Sequence, residues 1–416
     1  MRNWVSTLLA AVSCLAALGI GRADERATIT GKITNSAGNP VEHATVLVYS
    51  AGVKKGYAEF CPTCWADCGK RTTTDADGNF TIPSLSPDLI FTLVVLRDGY
   101  SAKYVEKIDP AKGPAQTATL KTRPPVEDVS QVVRGAVVDV HGRPLRDAVI
   151  EQEGVGIRGP NGGMGHSFGG AKNWIDEMAV TNEKGEFEMA YSKPAAEMIL
   201  QVSARGMAPK LFTEPTGADR KTMVVSDGAT VRGRLMVNGK PVANAEVGLI
   251  THERRSGTMY SEVLIGTKED GTFTITNVPA GRIWMLYPKM ESLAARGIGS
   301  QAVPFETKDD GQEVDVGDIR LTAAHMLKGR VVLSDGKPIP PGMRVTVGAD
   351  QAWDNQMAEI GADGSFEFHG LPAGVYGVHP SVKGYRAGSD GFGIEALVNR
   401  DVTDLVIRME PAPPLR

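Results

Sequence analysis

One pattern occurs four times in the 416 residues, and no other feature narrows the possible folds as much. Its first half is a β-branched run holding a Gly, then apolar residues, then a turn ending in Pro. The copies read Thr30-Gly31-Lys32-Ile33 to Gly38-Asn39-Pro40-Val41, Arg134-Gly135-Ala136-Val137 to Gly142-Arg143-Pro144-Leu145, Arg232-Gly233-Arg234-Leu235 to Gly239-Lys240-Pro241-Val242, and Lys328-Gly329-Arg330-Val331 to Gly336-Lys337-Pro338-Ile339. The first Gly falls at 31, 135, 233 and 329, at intervals of 104, 98 and 96 residues. The second half is a Gly turn before an aromatic strand: Asp77-Gly78-Asn79-Phe80, Lys184-Gly185-Glu186-Phe187, Asp270-Gly271-Thr272-Phe273 and Asp363-Gly364-Ser365-Phe366. Asp-Gly between alternating runs signals a hairpin, because Gly accepts the positive φ of a tight turn.

Each copy offers about seven short strands with turn signals roughly every 8–12 residues, which is the pattern of a small antiparallel β-sandwich. Period-two alternation puts Ile29, Gly31 and Ile33 on one face, Val46 and Val48 on one face of the next strand, and each Phe in the core. A unit of about 95 residues can bury a core of its own, so the copies are beads and not solenoid repeats. The expectation is an all-β chain of four tandem antiparallel Greek-key β-sandwich domains after a signal peptide, with almost no helix. The expected bounds are 1–23 for the signal, then 24–125, 126–227, 228–323 and 324–416. Lys121-Thr122-Arg123-Pro124-Pro125 and Ser226-Asp227-Gly228 read as linkers.

Arg2, the apolar stretch Leu8 to Ile20 and the small-residue site Gly21-Arg22-Ala23 read as a secretory signal. Ala11-Val12-Ser13-Cys14 resembles a lipobox, but apolar residues would then follow the lipidated Cys. Without Arg2 and Arg22, 43 basic and 49 acidic residues remain, a net charge of −6. No dense basic face is available for nucleic acid, and no apolar run of the mature chain is long enough to cross a bilayer. The expected address is periplasmic, secreted or cell surface.

The combination of a Gly-bearing strand, a Gly-x-Pro turn, Gly-x-Phe, Pro-Ala-Gly (Pro279-Ala280-Gly281, Pro372-Ala373-Gly374) and Gly-Tyr (Gly99-Tyr100, Gly384-Tyr385) resembles the carboxypeptidase regulatory-like domain. The resemblance covers nearly the whole mature chain, four times over. It implies a transthyretin-like sandwich, akin to starch-binding-like sandwiches. It also implies accessory modules of secreted or surface bacterial proteins, with no common catalytic residues. The second copy departs from the pattern, having Glu183-Lys184-Gly185 in place of Asp-Gly.

Several motifs invite a chemical reading. Gly165-His166-Ser167-Phe168-Gly169 matches a nucleophile elbow, which needs a buried strand before it and a helix after it. The preceding Arg158-Gly159-Pro160-Asn161-Gly162-Gly163 cannot be a buried strand, so residues 154–170, with eight Gly, are expected to form a mobile loop. Gly154-Val155-Gly156-Ile157-Arg158-Gly159 fits a dinucleotide fingerprint but lacks the βαβ unit. No His-x-x-Glu pair is present for a zinc peptidase site. Asp75, Asp77 and Asp270 fit turns better than an EF-hand loop. Cys61, Cys64 and Cys68 are the only cysteines of the mature chain. Three thiols so close can hold zinc, with His43 as candidate fourth ligand, or form one disulfide and leave one thiol. An oxidising compartment favours the disulfide, so no metal or cofactor is expected.

Each copy has its longest insertion between its second strand and the Gly-x-Phe turn. Each insertion carries an aromatic closely followed by an acid: Trp65 and Asp67, Trp174 and Asp176, Tyr260 and Glu262, Trp353 and Asp354. An exposed ring beside a carboxylate suits a sugar face. The same rings could instead lie on a third strand and pack into their own cores. The first functional reading is therefore a non-enzymatic exported array that binds or presents an unknown protein or glycan at the cell surface. The second is a carbohydrate-binding protein using the eight insertion residues. The third is a serine hydrolase through Ser167.

Overall fold

The computed structural model describes residues 26–58, 65–113, 115–159, 161–168, 178–251, 263–349, 352, 354–388 and 393–412. The expected signal, residues 1–23, lies outside them. The chain is 59% strand and 3% helix, which makes it all-β as expected. The only α-helix among the described residues is the single turn Met290–Leu293.

The first unit shows the plan. Its strands are β1 Ala27–Asn35, β2 Thr45–Val53, β3 Arg71–Thr73, β4 Asn79–Leu85, β5 Leu89–Leu96, β6 Lys103–Ile108 and β7 Gln116–Leu120. They form two sheets, ordered β4-β1-β7 and β3-β2-β5-β6. Six further sheets repeat this pair along the chain. In those units one sheet of each pair is built on the Gly-bearing strands Val132–Val138, Ala229–Val237 and His325–Leu333. The other sheet of each pair is built on Val149–Arg158, Glu246–Thr251 and Arg344–Ala349. Four core clusters result, one for each unit and filled mainly from its two sheets, with Phe91, Met198, Leu286 and Tyr376 fully buried in them.

The sheets are not antiparallel throughout. Each Gly-bearing strand pairs in parallel with the last strand of its unit: β1 with β7, and likewise with Arg220–Val224, Glu313–Ala323 and Val402–Pro411. Strand direction alternates along the chain, so the first and seventh strands of the first unit point the same way.

On its other side the Gly-bearing strand faces the aromatic. Gly31 stands opposite Phe80, Gly135 opposite Phe187, Gly233 opposite Phe273 and Gly329 opposite Phe366. In all four units a Cβ on the Gly would fall within 3 Å of the Phe ring. The ring therefore lies over the bare backbone, which sets the register of the pair and fills the core at once. Each Phe is buried.

The Gly turns before these Phe residues are not hairpins. β3 pairs with β2 and β4 with β1, so the turn between them carries the chain from one sheet to the other. The same crossing occurs in the other three units. The turn runs over Asp75–Asn79. It is closed by the Gly78 N–H on Asp75 O (2.9 Å) and the Asp75 N–H on Asn79 O (3.0 Å), with Gly78 at φ 77°. Asp75 Oδ1 accepts from the N–H groups of Asp77 and Asn79. In the second unit Asn182 does the same work, which is why Glu183-Lys184 before the Gly costs that turn nothing.

A buried threonine then ties the sheet it follows to the loop entering that sheet. Thr74 donates to Val41 O (2.6 Å) and accepts from the Ala44 N–H (2.8 Å). Thr181 does this between Leu145 and Ala148, and Thr267 between Val242 and Ala245. The residue before each of these alanines is left-handed: His43, Asp147 and Asn244. In the fourth unit Ile360 replaces the threonine and Gly342 takes the left-handed place.

Consecutive units are in contact. Leu47, Val94 and Leu96, on the outer face of the first unit's larger sheet, pack on Val149, Met178 and Val180 of the second. Asn277 of the third unit donates to Gly206 O (2.8 Å) and Asp227 O (2.9 Å) of the second. Ile250, Met285 and Tyr287 of the third unit receive Ala352 of the fourth.

Candidate functional site

In the first unit the insertion lies between β2 and β3, and β3 is an edge strand of its sheet. β2 ends at Val53, and the insertion returns through Trp65, Asp67 and Cys68 to β3. Trp65 is half-buried against the first core, as is Cys68, whose N–H donates to Trp65 O (2.8 Å). Asp67 is 2% exposed. Its Oδ1 accepts from Arg26 (2.6 Å) and Lys70 (2.7 Å), and its Oδ2 from the Ser86 N–H (2.7 Å). Two cations thus neutralise a carboxylate that water no longer solvates, which is the condition under which a buried acid is tolerated. The same two cations donate to Ser84 O. The group pins the base of the insertion to its own sandwich.

In the second unit most of the described Gly-rich segment is strand, with a turn at Gly159 and Gly162 between its two arms. The strand Val149–Arg158 continues through Gly154 and Gly156, and Met164–Phe168 pairs back on it, with Ser167 opposite Val155. A strand ladder needs only backbone, and Gly156 leaves room for the Glu197 side chain beside it. His166 Nε2 lies 2.8 Å from Glu197 Oε1. Neighbouring residues of a strand point to opposite faces, so this imidazole cannot reach the hydroxyl of Ser167. Ser167 sits on extended chain within Met164–Phe168.

In the fourth unit Asp354 is 3% exposed. Its Oδ2 accepts from the Met290 N–H of the third unit (2.8 Å), and Lys289 Nζ stands 4.0 Å from its Oδ1. Tyr376 donates to Pro372 O (2.6 Å). Burial first, and then the nearby charge of Asp354, push the Tyr376 phenol far above its ordinary pKa, with Gln301 opposing. This acid therefore joins two units. Trp174, Asp176, Tyr260, Glu262, Trp353, Cys61 and Cys64 lie outside the described residues. His43, the candidate fourth zinc ligand, sits at the left-handed turn with Nε2 3.2 Å from Glu42. Among the described residues no three His, Cys, Asp or Glu side chains converge to hold a metal.

One residue escaped the sequence reading. Gln152 is fully buried in the second core, and neither its amide nitrogen nor its amide oxygen has a hydrogen-bond partner among the described residues. Aligned on Ala44, Ala148, Ala245 and Met343, its counterparts are Val48, Leu249 and Val347. A comparison of the copies position by position would have exposed it.

No curated protein matches the chain. Among solved structures, the Bacillus anthracis TIE protein is similar at 13% identity and a TM-score of 0.21, over 92% of this chain and 73% of that one. A streptococcal ancillary pilin follows at 13% identity and 0.23, over 68% of this chain and all of that one. BcpA, the major pilin subunit of Bacillus cereus, has 12% identity and 0.19, over 72% of this chain and all of that one. Residues 28–122, which span β1 to β7, match the model of the carboxypeptidase regulatory-like domain, the family its repeat motifs resemble.

Proposed function

We propose that the chain is an exported, non-enzymatic scaffold. In this reading its modules run over 24–125, 126–227, 228–323 and 324–416, and it binds or presents a partner in the periplasm or at the cell surface. The observation that most supports this is the use made of Asp67 and Asp354. One fastens an insertion to its own sandwich and the other fastens an insertion to the preceding unit. Such fixings hold insertions at set mutual positions, as a scaffold that displays loops requires. Binding would fall to the insertion segments beyond these anchors. Two of Cys61, Cys64 and Cys68 would staple the first of them by one disulfide, leaving one free thiol.

The test replaces 171–177 and 252–262 of the mature chain with Gly-Ser linkers of equal length. It then compares capture of cell-envelope proteins and binding to a glycan array. Loss of capture with unchanged melting supports the scaffold. Glycan binding that disappears in Trp174→Ala and Trp353→Ala would replace it with the carbohydrate reading. Covalent labelling of Ser167 by a fluorophosphonate would overturn the non-enzymatic assignment.

A further inference from the structure

Left-handed positions recur at fixed places in the repeat, and the fourth unit fills two of them with Gly where other units carry side chains. The first place holds Ser84 in the first unit, Asn277 in the third and Gly370 in the fourth. A Cβ on Gly370 would lie 2.5 Å from Ala294 Cα of the third unit. Here Gly answers a close approach by a neighbouring module, since Ser and Asn show that the turn itself accepts a side chain.

The second place holds His43, Asp147, Asn244 and Gly342. A Cβ on Gly342 would lie 2.7 Å from Gly56 Cα, and one on Gly56 would fall against Gly342 O. Gly56 belongs to the first unit, at the start of its insertion. Tyr57 follows it. The Tyr57 N–H donates to Gly342 O (2.9 Å), the residue pairs in parallel with Met343, and its side chain packs against the fourth core. Two residues before Gly56, Lys54 is anchored in the first unit by its Nζ on Pro87 O (2.7 Å) and by an ion pair with Asp109. The segment is therefore held at its base and seated at its tip.

We infer that the start of Arg344–Ala349 is a docking site for the chain's own first unit. The last module thereby closes on the first, and the four modules form a ring. The partner is specific: a Gly-Tyr segment that bends at Gly56 (φ 85°) and bridges Met343 at Tyr57, which the paired glycines admit to backbone contact. Closure adds a fourth junction to the three between consecutive units.

The experiment is small-angle scattering of the mature chain, with light scattering to establish its mass. A compact chain of this length has a radius of gyration of about 21 Å, while a straight row of four modules, each of about 13 Å, reaches on the order of 35 Å. The expected value is nearer the first, for a monomer. Gly342→Asn puts in the fourth unit the residue that Asn244 supplies in the third, so the turn is kept and only the seat for Gly56 is lost. It should raise the radius of gyration by roughly a third with strand content unchanged, and Asn244→Gly should leave it alone. Gly56→Asn repeats the test from the first unit, should the fourth unit of Gly342→Asn fail to fold. A wild-type chain with the radius of an open row overturns the inference by itself. So does a folded Gly342→Asn of wild-type size, or closure found only in dimers or polymers.

Discussion

At the scale of single residues, two positions make opposite predictions. Gln152 stands where Val48, Leu249 and Val347 fill the other cores, and its amide has no partner among the described residues. An unsatisfied buried polar group costs about 1–3 kcal/mol. Gln152→Leu should therefore stabilise the second unit by an amount of that order, read as a higher midpoint in urea. A lower midpoint would mean that Gln152 has a partner in the insertion, and would turn attention to binding. Gly329 is the converse case. A Cβ there meets both the Phe366 ring (2.5 Å) and Leu405 O of the parallel strand (2.6 Å). Gly329→Ala should destabilise the fourth unit by about 1–3 kcal/mol, as overpacking does. Trimming the ring with Phe366→Leu should restore only part of this, because the carbonyl cannot withdraw. Full rescue would show that the ring alone demands the Gly.

At the scale of elements, the crossing turns show what the sequence could and could not convey. The Gly positions, the Phe burial and the strand count were legible, because they follow from local φ and period-two alternation. The destination of the strand after the turn was not: Asp77-Gly78 encodes a reversal, while the sheet joined by Phe80 is decided by its stacking on Gly31. The Gly-rich segment was misread because its glycines were weighed as missing side chains, when a ladder needs only backbone. The burial of Asp67 depends on Arg26 and Ser86, neither of them in the insertion. The turns also carry a pH signature. Asp270 and Asp363 are held below the usual carboxylate range by the Thr272 and Ser365 hydroxyls first, and by the N–H groups of the same residues. A depressed folded pKa gives stability that is present above the unfolded value, about 3.9, and lost as pH falls through the folded one. Asp270→Ala with Asp363→Ala should thus weaken the chain at neutral pH and flatten its loss of stability below about pH 4. Parallel stability curves for wild type and variant from pH 7 to pH 2 would show that these carboxylates are not the acid-sensitive groups.

At the scale of the whole molecule, the question is whether the modules are strung loosely or act together. The answer turns on which face of β5 is considered. Leu93 points into the first core, and its neighbour Val94 points out, into the contact with Val149, Met178 and Val180; both are fully buried. An isolated first unit would leave Leu47, Val94 and Leu96 open to water as a patch with no partner, so the junction is part of that unit's stability. A carboxylate on either residue cannot stay buried without a cation beside it. At Leu93 the only escape is to unfold the sandwich. At Val94 the two units can part and let water in, with each core intact. Leu93→Asp should therefore abolish the first unit's melting transition. Val94→Asp should keep strand content while the joint transition of the first two units splits into two calorimetric peaks, the lower one belonging to the first unit. A single peak at the wild-type temperature in Val94→Asp would mean that the modules melt independently and that this apolar contact contributes nothing to holding them together.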